Sequence, residues 1–282
     1  MITATTAHDL RRAVDRWRAH GERVGLVPTM GALHAGHLSL VELARSRADR
    51  VVVSVFVNPT QFGPGEDFAR YPRDAARDAA LLDGAGCDLL FLPAVETVYG
   101  PGCTTRVRVD GPSRGFEGEA RPGHFEGVAT VVAMLFNLAR PDLAVFGEKD
   151  AQQLAVVRAL ARDLHLGVEI VAAPTVRDAD GLALSSRNAY LTPAERRAAP
   201  VLFRALEAAR AAIAAGERDS GRVLAQLRAV VAGEPSVSLE YAAVVTADSF
   251  QPVDRIAGEI VVPLAARLGS TRLIDNLRLR VE

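Results

Sequence analysis

A doubly wound, parallel α/β sheet followed by a smaller α+β domain is the fold this 282-residue sequence predicts. Three observations carry that expectation. Short, almost continuous Val/Leu/Ile runs alternate with helical patterns through the first two-thirds of the chain, as strands buried on both faces of a parallel sheet do. The alternation stops near residue 175. Beyond it, helical stretches precede a group of strand-like ones, the order of a separate α+β unit.

The elements follow in order. HDLRRAVDRWRAH predicts a helix with Leu10, Val14 and Trp17 on one face, and RVGLVP a short buried strand. GHLSLVELARSRA reads as the second helix and RVVVSVFVNP as the second strand. An Ala/Arg/Asp-rich helix is expected over residues 67–83, then the strand CDLLFLP. EGVATVVAMLFNLA is an apolar helix leading to the strand DLAVF, and AQQLAVVRALARDL a further helix leading to GVEIVAAP. After a boundary near Pro174, TPAERRAAPVLFRALEAARAAIAAG predicts one long helix, with Thr192 as N-cap, Pro193 at the first helical position and Glu195 closing a capping box. A helix over 219–232 and strands in SLEYAAVVTA, GEIVVPLAAR and TRLIDNLRLR complete the chain. The expected division is residues 1–174, a Rossmann-like domain, and residues 175–282. Sheets of this kind bind ligands at the carboxyl ends of their strands, where the strand order switches.

Composition narrows the function. The chain is 49% hydrophobic with a net charge of −1 and interspersed signs, so no basic stripe for nucleic acid is visible. Cys87 and Cys103 lack metal-type spacing, which points to a reducing compartment without disulfides. MITATTAHDLRRAV has no apolar signal core, and no apolar run reaches membrane-spanning length. The expectation is a soluble cytoplasmic protein that binds neither membrane nor nucleic acid.

Three strand ends, one polar loop and one glycine-rich stretch are candidates for the chemistry. PTMGALHAGH, residues 28–37, follows the first apolar strand and opens a helix. Gly31 and Gly36 allow close backbone approach, and a helix N-terminus offers N–H groups to phosphate. His34 and His37, three apart, point the same way on a helical turn. The pattern is not a Walker A loop, and no clustered ligands complete a zinc site around these histidines. VNPTQF places the amides of Asn58 and Gln61 at a strand end, suited to a substrate with hydroxyls and a carboxylate; a plain Asn-Pro turn accounts for it equally. FGEKD contains Lys149, the only lysine among 33 basic residues, with Gly147 before it and Asp150 and Gln153 after it. A flexible ammonium is a point charge that a rigid guanidinium fork does not replace. DADGLALSSRNAYL joins Ser185, Ser186 and Arg187, groups that suit a triphosphate, though the pattern alone also fits a connecting loop. GPSRGFEGEARPGHFEG, residues 111–127, reads either as a mobile lid or as a long loop.

Together, PTMGALHAGH, VFVNPTQF, YPR, RPGHFEGVATVV, FGEKDAQQL and LALSSRNAYL, in this order from about residue 25 to residue 191, resemble the pantothenate synthetase (pantoate–β-alanine ligase) family of the HIGH-type nucleotidyltransferases. The resemblance implies a two-step reaction. Pantoate attacks the α-phosphate of ATP to give pantoyl adenylate and pyrophosphate, and the β-alanine amine then displaces AMP to give pantothenate. It implies that Pro28, Thr29, Met30, Gly31, Ala32 and Leu33 hold ATP together with His34, Ala35, Gly36 and His37. Gly147, Glu148, Lys149 and Asp150 would extend that site, with Val176 and the second phosphate loop, Leu184, Ser185, Ser186 and Arg187, in the smaller domain. His37 would be the proton donor, with His34 and Lys149 as further catalytic groups. Gln61 would contact pantoate and β-alanine, Gln153 pantoate, and Asn58 the same substrates. Mg²⁺ would come with the triphosphate, with no protein ligand assigned, and a homodimer is the family's usual state.

Overall fold

The computed structural model describes all residues, 1–282. They form two compact units. The first comprises Met1–Gly147 and Val156–Ala173, and the second Glu148–Ala155 and Pro174–Glu282. The second unit therefore takes in the Lys149 segment as well as everything after Ala173.

The first unit holds a six-stranded sheet built from β1 (Ile2–Ala4), β2 (Val24–Thr29), β3 (Arg50–Val55), β4 (Leu89–Phe91), β5 (Leu143–Gly147) and β6 (Glu169–Ala173). The order is β1-β4-β3-β2-β5-β6, and every pairing is parallel. The strands are buried on both faces: Val24, Leu26 and Val27, like Val51, Val52 and Val53, are closed to solvent. This is why they read as continuous rather than alternating apolar runs. The edge strand β1 was not anticipated, since three residues are too short to show a period. Its backbone pairs with Leu89–Phe91.

Helices connect the strands. α1 (Ala7–Ala19) buries Leu10, Val14 and Trp17 as its spacing predicts, and the Thr6 hydroxyl caps it by accepting from Asp9 N at 3.1 Å. α2 (Ala35–Arg45) joins β2 to β3, and α3 (Ala75–Gly84) joins β3 to β4. The helix expected over 67–83 is shorter. Asp67–Ala69 is a single 3₁₀ turn, and α3 starts only after Asp74, whose carboxylate accepts from Arg77 N. Pro72 explains the break, because the residue before a proline is disfavoured in the α region. The chain then runs through α4 (Val95–Val98), α5 (Phe116–Ala120) and α6 (His124–Ala139) to β5, on the far side of β2. α7 (Ala151–Asp163) leads on to β6. The strand order therefore switches between β2 and β5. Their register pairs Gly25 with Leu143 and Leu26 with Ala144, which brings the carboxyl ends Thr29 and Gly147 level.

The stretch 111–127 is not an open loop. It contains α5 and the start of α6, and Glu117, His124, Phe125 and Gly127 are buried. Two of its glycines serve close packing: a β-carbon on Gly118 would lie 1.8 Å from the Ser113 carbonyl oxygen, and one on Gly127 2.5 Å from the Thr60 carbonyl oxygen.

The second unit has its own core. The helix expected from 192 to 216 is two helices, α8 (Pro193–Ala198) and α9 (Val201–Ala214), divided at Pro200, which has no N–H to continue the ladder. The Thr192–Glu195 capping box forms as read, with Glu195 N to the Thr192 hydroxyl at 3.3 Å and Thr192 N to the Glu195 carboxylate at 2.7 Å. α9 and α10 (Ser220–Ala232) present Leu202, Leu206, Val223 and Leu227 to an antiparallel sheet of β7 (Val237–Ala242), β8 (Val245–Thr246), β9 (Gly258–Leu268) and β10 (Thr271–Val281). Its order is β10-β9-β7, with β8 also on β9.

Candidate active site

The chain leaves β2 at Thr29 and enters α2 at Ala35. Gly31 and Ala32 both take left-handed backbone, with φ of 82° and 51°. For alanine that conformation costs roughly 1 kcal/mol, so something must hold it. Two groups do. The Thr29 hydroxyl donates to Ser54 O across the sheet at 2.8 Å and accepts from Gly31 N at 3.2 Å. The Asp78 carboxylate, reaching up from α3, accepts from Ala32 N and Leu33 N, both at 2.9 Å. Asp78 is 1% exposed. Glycine is required at 31, because a β-carbon there would lie 2.8 Å from Asp78 Oδ2.

The start of α2 is capped by the two histidines themselves. His34 is the N-cap, with extended backbone, and its Nδ1 accepts from Gly36 N at 3.1 Å. His37 at N3 returns the bond, its Nδ1 accepting from His34 N at 3.4 Å. This is a capping box in which imidazoles replace the usual hydroxyl and carboxylate. The ring centroids are 4.1 Å apart. A neutral imidazole that accepts at Nδ1 carries its proton on Nε2, so both rings become Nε2–H donors of fixed orientation. One expectation changes accordingly. The N–H groups of Ala32, Leu33, His34 and Gly36 are already bonded within the protein, so these four are not open amides offered to a phosphate.

Beyond β3, Asn58 caps a 3₁₀ turn, Pro59–Gln61. Asn58 is 1% exposed, and its amide is fully engaged. Nδ2 donates to Gln61 Oε1 at 3.0 Å and to Gly127 O at 3.1 Å. Oδ1 accepts from Thr60 N at 3.3 Å, the Thr60 hydroxyl at 2.9 Å and the Tyr99 hydroxyl at 2.8 Å. Its polar atoms are thus used on the protein, behind Gln61, rather than turned toward a substrate. Gln61 Nε2 contacts Met30 Sδ at 3.2 Å. Met30 also lines a cavity of about 300 Å³ with Val55, Phe56, Asp78, Leu92 and Val95.

The Gln61 backbone is held from α6. His124 Nδ1 lies 2.9 Å from Gln61 O, and its Nε2 lies 3.1 Å from Arg121 Nη1. Arg121 is clamped by a bidentate pair with Glu66, at 3.0 and 2.7 Å. An acceptor carbonyl on one side and a guanidinium donor on the other fit a neutral ring protonated at Nδ1. Burial, followed by the Arg121 charge, pushes the His124 pKa down to about 4. Burial likewise raises that of the Tyr99 phenol.

In the second unit, the 3₁₀ turn Glu148–Asp150 is pinned by β10. Asn276 Nδ2 donates to Glu148 O at 2.9 Å and to Lys149 O at 2.8 Å. The neighbouring Asp275 is buried and accepts two N–H groups of Arg177, at 2.6 and 2.9 Å, while the guanidinium carbon sits 4.5 Å over the Phe203 ring. Arg177 also donates to Gly181 O. The stretch 176–184 is therefore a tight hairpin, with Leu184 N bonded to Val176 O and Asp178 N to Leu182 O. It delivers Ser185, whose hydroxyl accepts from Arg187 N and caps the turn Ser186–Tyr190. Of the tandem glutamines, Gln152 is buried and Gln153 half-buried. At the end of β5 in the first unit, a β-carbon on Gly147 would meet nothing within 4 Å, so the space there is open.

Sequence reasoning reached the histidine pair, Asn58, Gln61, Lys149 and the Ser-Ser-Arg run. It missed Asp78, Tyr99, Asn276 and the Arg177–Asp275 pair, whose partners are distant in sequence and leave no local pattern. Arg121 and His124 lie in the RPGHFEGVATVV motif, which carried the resemblance without a role for either side chain.

A doubly wound sheet with a rigid, imidazole-bearing turn at its switch point defines a ligand-binding α/β protein of the nucleotide-binding type. A family model for pantoate-beta-alanine ligase matches residues 2–278. Pantothenate synthetase of Rubrobacter xylanophilus is 57% identical, with 96% of each chain covered, and that of Chlorobium luteolum is 51% identical over the whole of both. The crystal structure of pantothenate synthetase from Thermus thermophilus superposes with a TM-score of 0.93 at 52% identity, covering 98% of this chain and 99% of that one. A pantoate-beta-alanine ligase from Francisella tularensis, complexed with beta-gamma ATP and beta-alanine, gives 0.78 at 32% identity, covering 98% and 97%. The chain belongs to the pantoate–β-alanine ligase family.

Proposed function

We propose that this protein condenses pantoate with β-alanine at the expense of ATP. The carboxylate oxygen of pantoate attacks the α-phosphorus, the bond from that phosphorus to the bridging oxygen breaks, and pyrophosphate leaves. The β-alanine nitrogen then attacks the acyl carbonyl, loses a proton, and AMP departs. Both nucleophiles belong to the substrates, so the protein's contribution is positioning and charge stabilisation. The observation that carries this reading is the histidine capping box, which sets two imidazole rings 4.1 Å apart on one turn at the switch point.

The remaining roles follow from the chemistry of each group. His37, aided by His34, donates to phosphoryl oxygens as charge builds. Lys149 follows that charge on a flexible stem. Gly147, Asp150, Val176 and Leu184–Arg187 complete the nucleotide contacts. Gln61 and Gln153 bind the acid, and Asn58 acts through Gln61. No cluster of three or more His, Cys, Asp or Glu side chains could hold a metal. Magnesium is therefore proposed to enter on the triphosphate, a mode that needs no protein cage. No helix is long and apolar enough to cross a membrane; a cytoplasmic homodimer is the proposed working state.

The test mixes protein, ATP, Mg²⁺, pantoate and β-alanine and follows AMP. AMP release that requires both acids is expected, as is pantoate-dependent exchange of pyrophosphate into ATP without β-alanine. Release with a different acid–amine pair only, or exchange that strictly needs β-alanine, overturns the substrate or the two-step order.

A further inference from the structure

We infer that Tyr99 and Asn58 are positioning residues that lock the Gln61 amide as a hydrogen-bond donor, so that the atom it meets on the acid substrate must be an acceptor oxygen. The inference rests on the reading in which Gln61 contacts that acid.

The argument starts from two backbone groups whose polarity is fixed. Thr60 N–H can only donate, and it points at Asn58 Oδ1. Gly127 O can only accept, and it faces Asn58 Nδ2. Between them the orientation of the Asn58 amide is settled without reference to any side chain. The Tyr99 hydroxyl donates to the same Oδ1 at 2.8 Å and lies 3.0 Å from the Thr60 hydroxyl, which donates there too. Three donors on one oxygen make a reversed Asn58 costly. The second N–H of Asn58 then fixes the next amide, since it meets Gln61 Oε1 at 3.0 Å. Gln61 cannot turn over without setting its NH₂ against the NH₂ of Asn58. Its outer end is therefore Nε2, with one contact to the Met30 thioether, a weak acceptor. Gln61 is 7% exposed, so this end is aimed rather than free to swing in solvent.

A glutamine normally serves a donor or an acceptor equally well. Here the chain from Tyr99 through Asn58 removes that ambiguity, and selectivity for a carboxylate or hydroxyl oxygen over an N–H follows. Asn58 and Tyr99 do this without touching the ligand.

The experiment compares Gln61→Glu, Asn58→Asp and Tyr99→Phe in the AMP-release assay, with thermal melts on each. Gln61→Glu offers only acceptors at neutral pH, and the KM for pantoate rises about 10- to 100-fold while that for ATP is unchanged. Asn58→Asp can no longer donate to Gln61 Oε1, so Gln61 reverses and the same defect appears at a residue away from the ligand. Tyr99→Phe loosens the lock without reversing it and raises the pantoate KM about 3- to 10-fold. If Asn58→Asp melts out, Tyr99→Phe decides alone. A folded Asn58→Asp or Tyr99→Phe with wild-type pantoate KM overturns the inference. So does a defect shared equally by ATP. Wild-type protein that releases no AMP with pantoate and β-alanine instead overturns the functional reading beneath it, which keeps the two failures apart.

Discussion

Gly127→Ala sets two effects of opposite sign against each other. Gly127 lies in α6, where alanine is favoured over glycine by about 1 kcal/mol on helix propensity. Its position opposes the change. A β-carbon there would lie 2.5 Å from the Thr60 carbonyl oxygen, 2.6 Å from its carbonyl carbon and 2.7 Å from Gln61 Cα. All three are backbone atoms, so no rotamer change relieves them; α6 and the Pro59–Gln61 turn must part. Overpacking of this kind costs about 1–3 kcal/mol, and contacts this short to backbone belong at the upper end. The clash wins, with a net loss of about 1–2 kcal/mol. Function suffers more than stability, because Gly127 O is also the acceptor that orients Asn58. Displacement by about 1 Å near a reacting group costs on the order of 100-fold in rate. Thermal unfolding together with kcat/KM for pantoate checks both parts. A Gly127→Ala protein that melts at or above wild type with unchanged kcat/KM would refute the reasoning.

Three other substitutions probe separate features. Asp78→Asn replaces one of two carboxylate acceptors by an NH₂ that faces a backbone N–H of the 31–33 turn, so about 2–3 kcal/mol of stability is lost and kcat falls; urea unfolding and AMP release measure the two. For His124, the folded-state pKa near 4 lies below the ordinary 6.5, so the unfolded chain binds the proton more tightly. Its stabilisation is complete above pH 6.5 and is lost as pH falls through that window. Between pH 7 and pH 5 this group accounts for about 2 kcal/mol, and His124→Asn, which keeps a donor to Gln61 O, flattens the decline in urea midpoint over that range. Lys149→Arg keeps the fold, because the turn is held through the main chain by Asn276; kcat drops at least about 10-fold as the planar fork replaces a compact charge. Near-normal turnover in that variant would make the lone lysine a compositional accident.

What was legible in the sequence was whatever obeys a local rule. Near-continuous apolar runs between helical patterns disclosed β2 to β6, since strands buried on both faces admit almost nothing else. Thr192, Pro193 and Glu195 disclosed their own cap. Prolines were harder to weigh: Pro72 and Pro200 each break a helix that the apolar and Ala/Arg patterns continued straight through. The site divided along the same line. Histidines three apart and a singular lysine stand out in a string of letters. Asp78 lies 46 residues from the backbone it holds, and Tyr99 is 41 from the amide it orients. Their side chains are ordinary for a helix and a loop, and only the folded sheet brings them to the motifs.

The imidazole box at the head of α2 binds two kinds of selection into one pair of side chains. The ring nitrogens that face inward start the helix, and those on the other edge are the ones proposed to serve the reaction, so on that proposal loss of either histidine damages architecture and chemistry together. An alanine scan at these positions overstates their chemical share for that reason. Serine at position 34 divides the two, because a hydroxyl is a better helix cap than most side chains yet reaches no phosphate from there. Such a protein would keep its turn and show what the ring alone contributes.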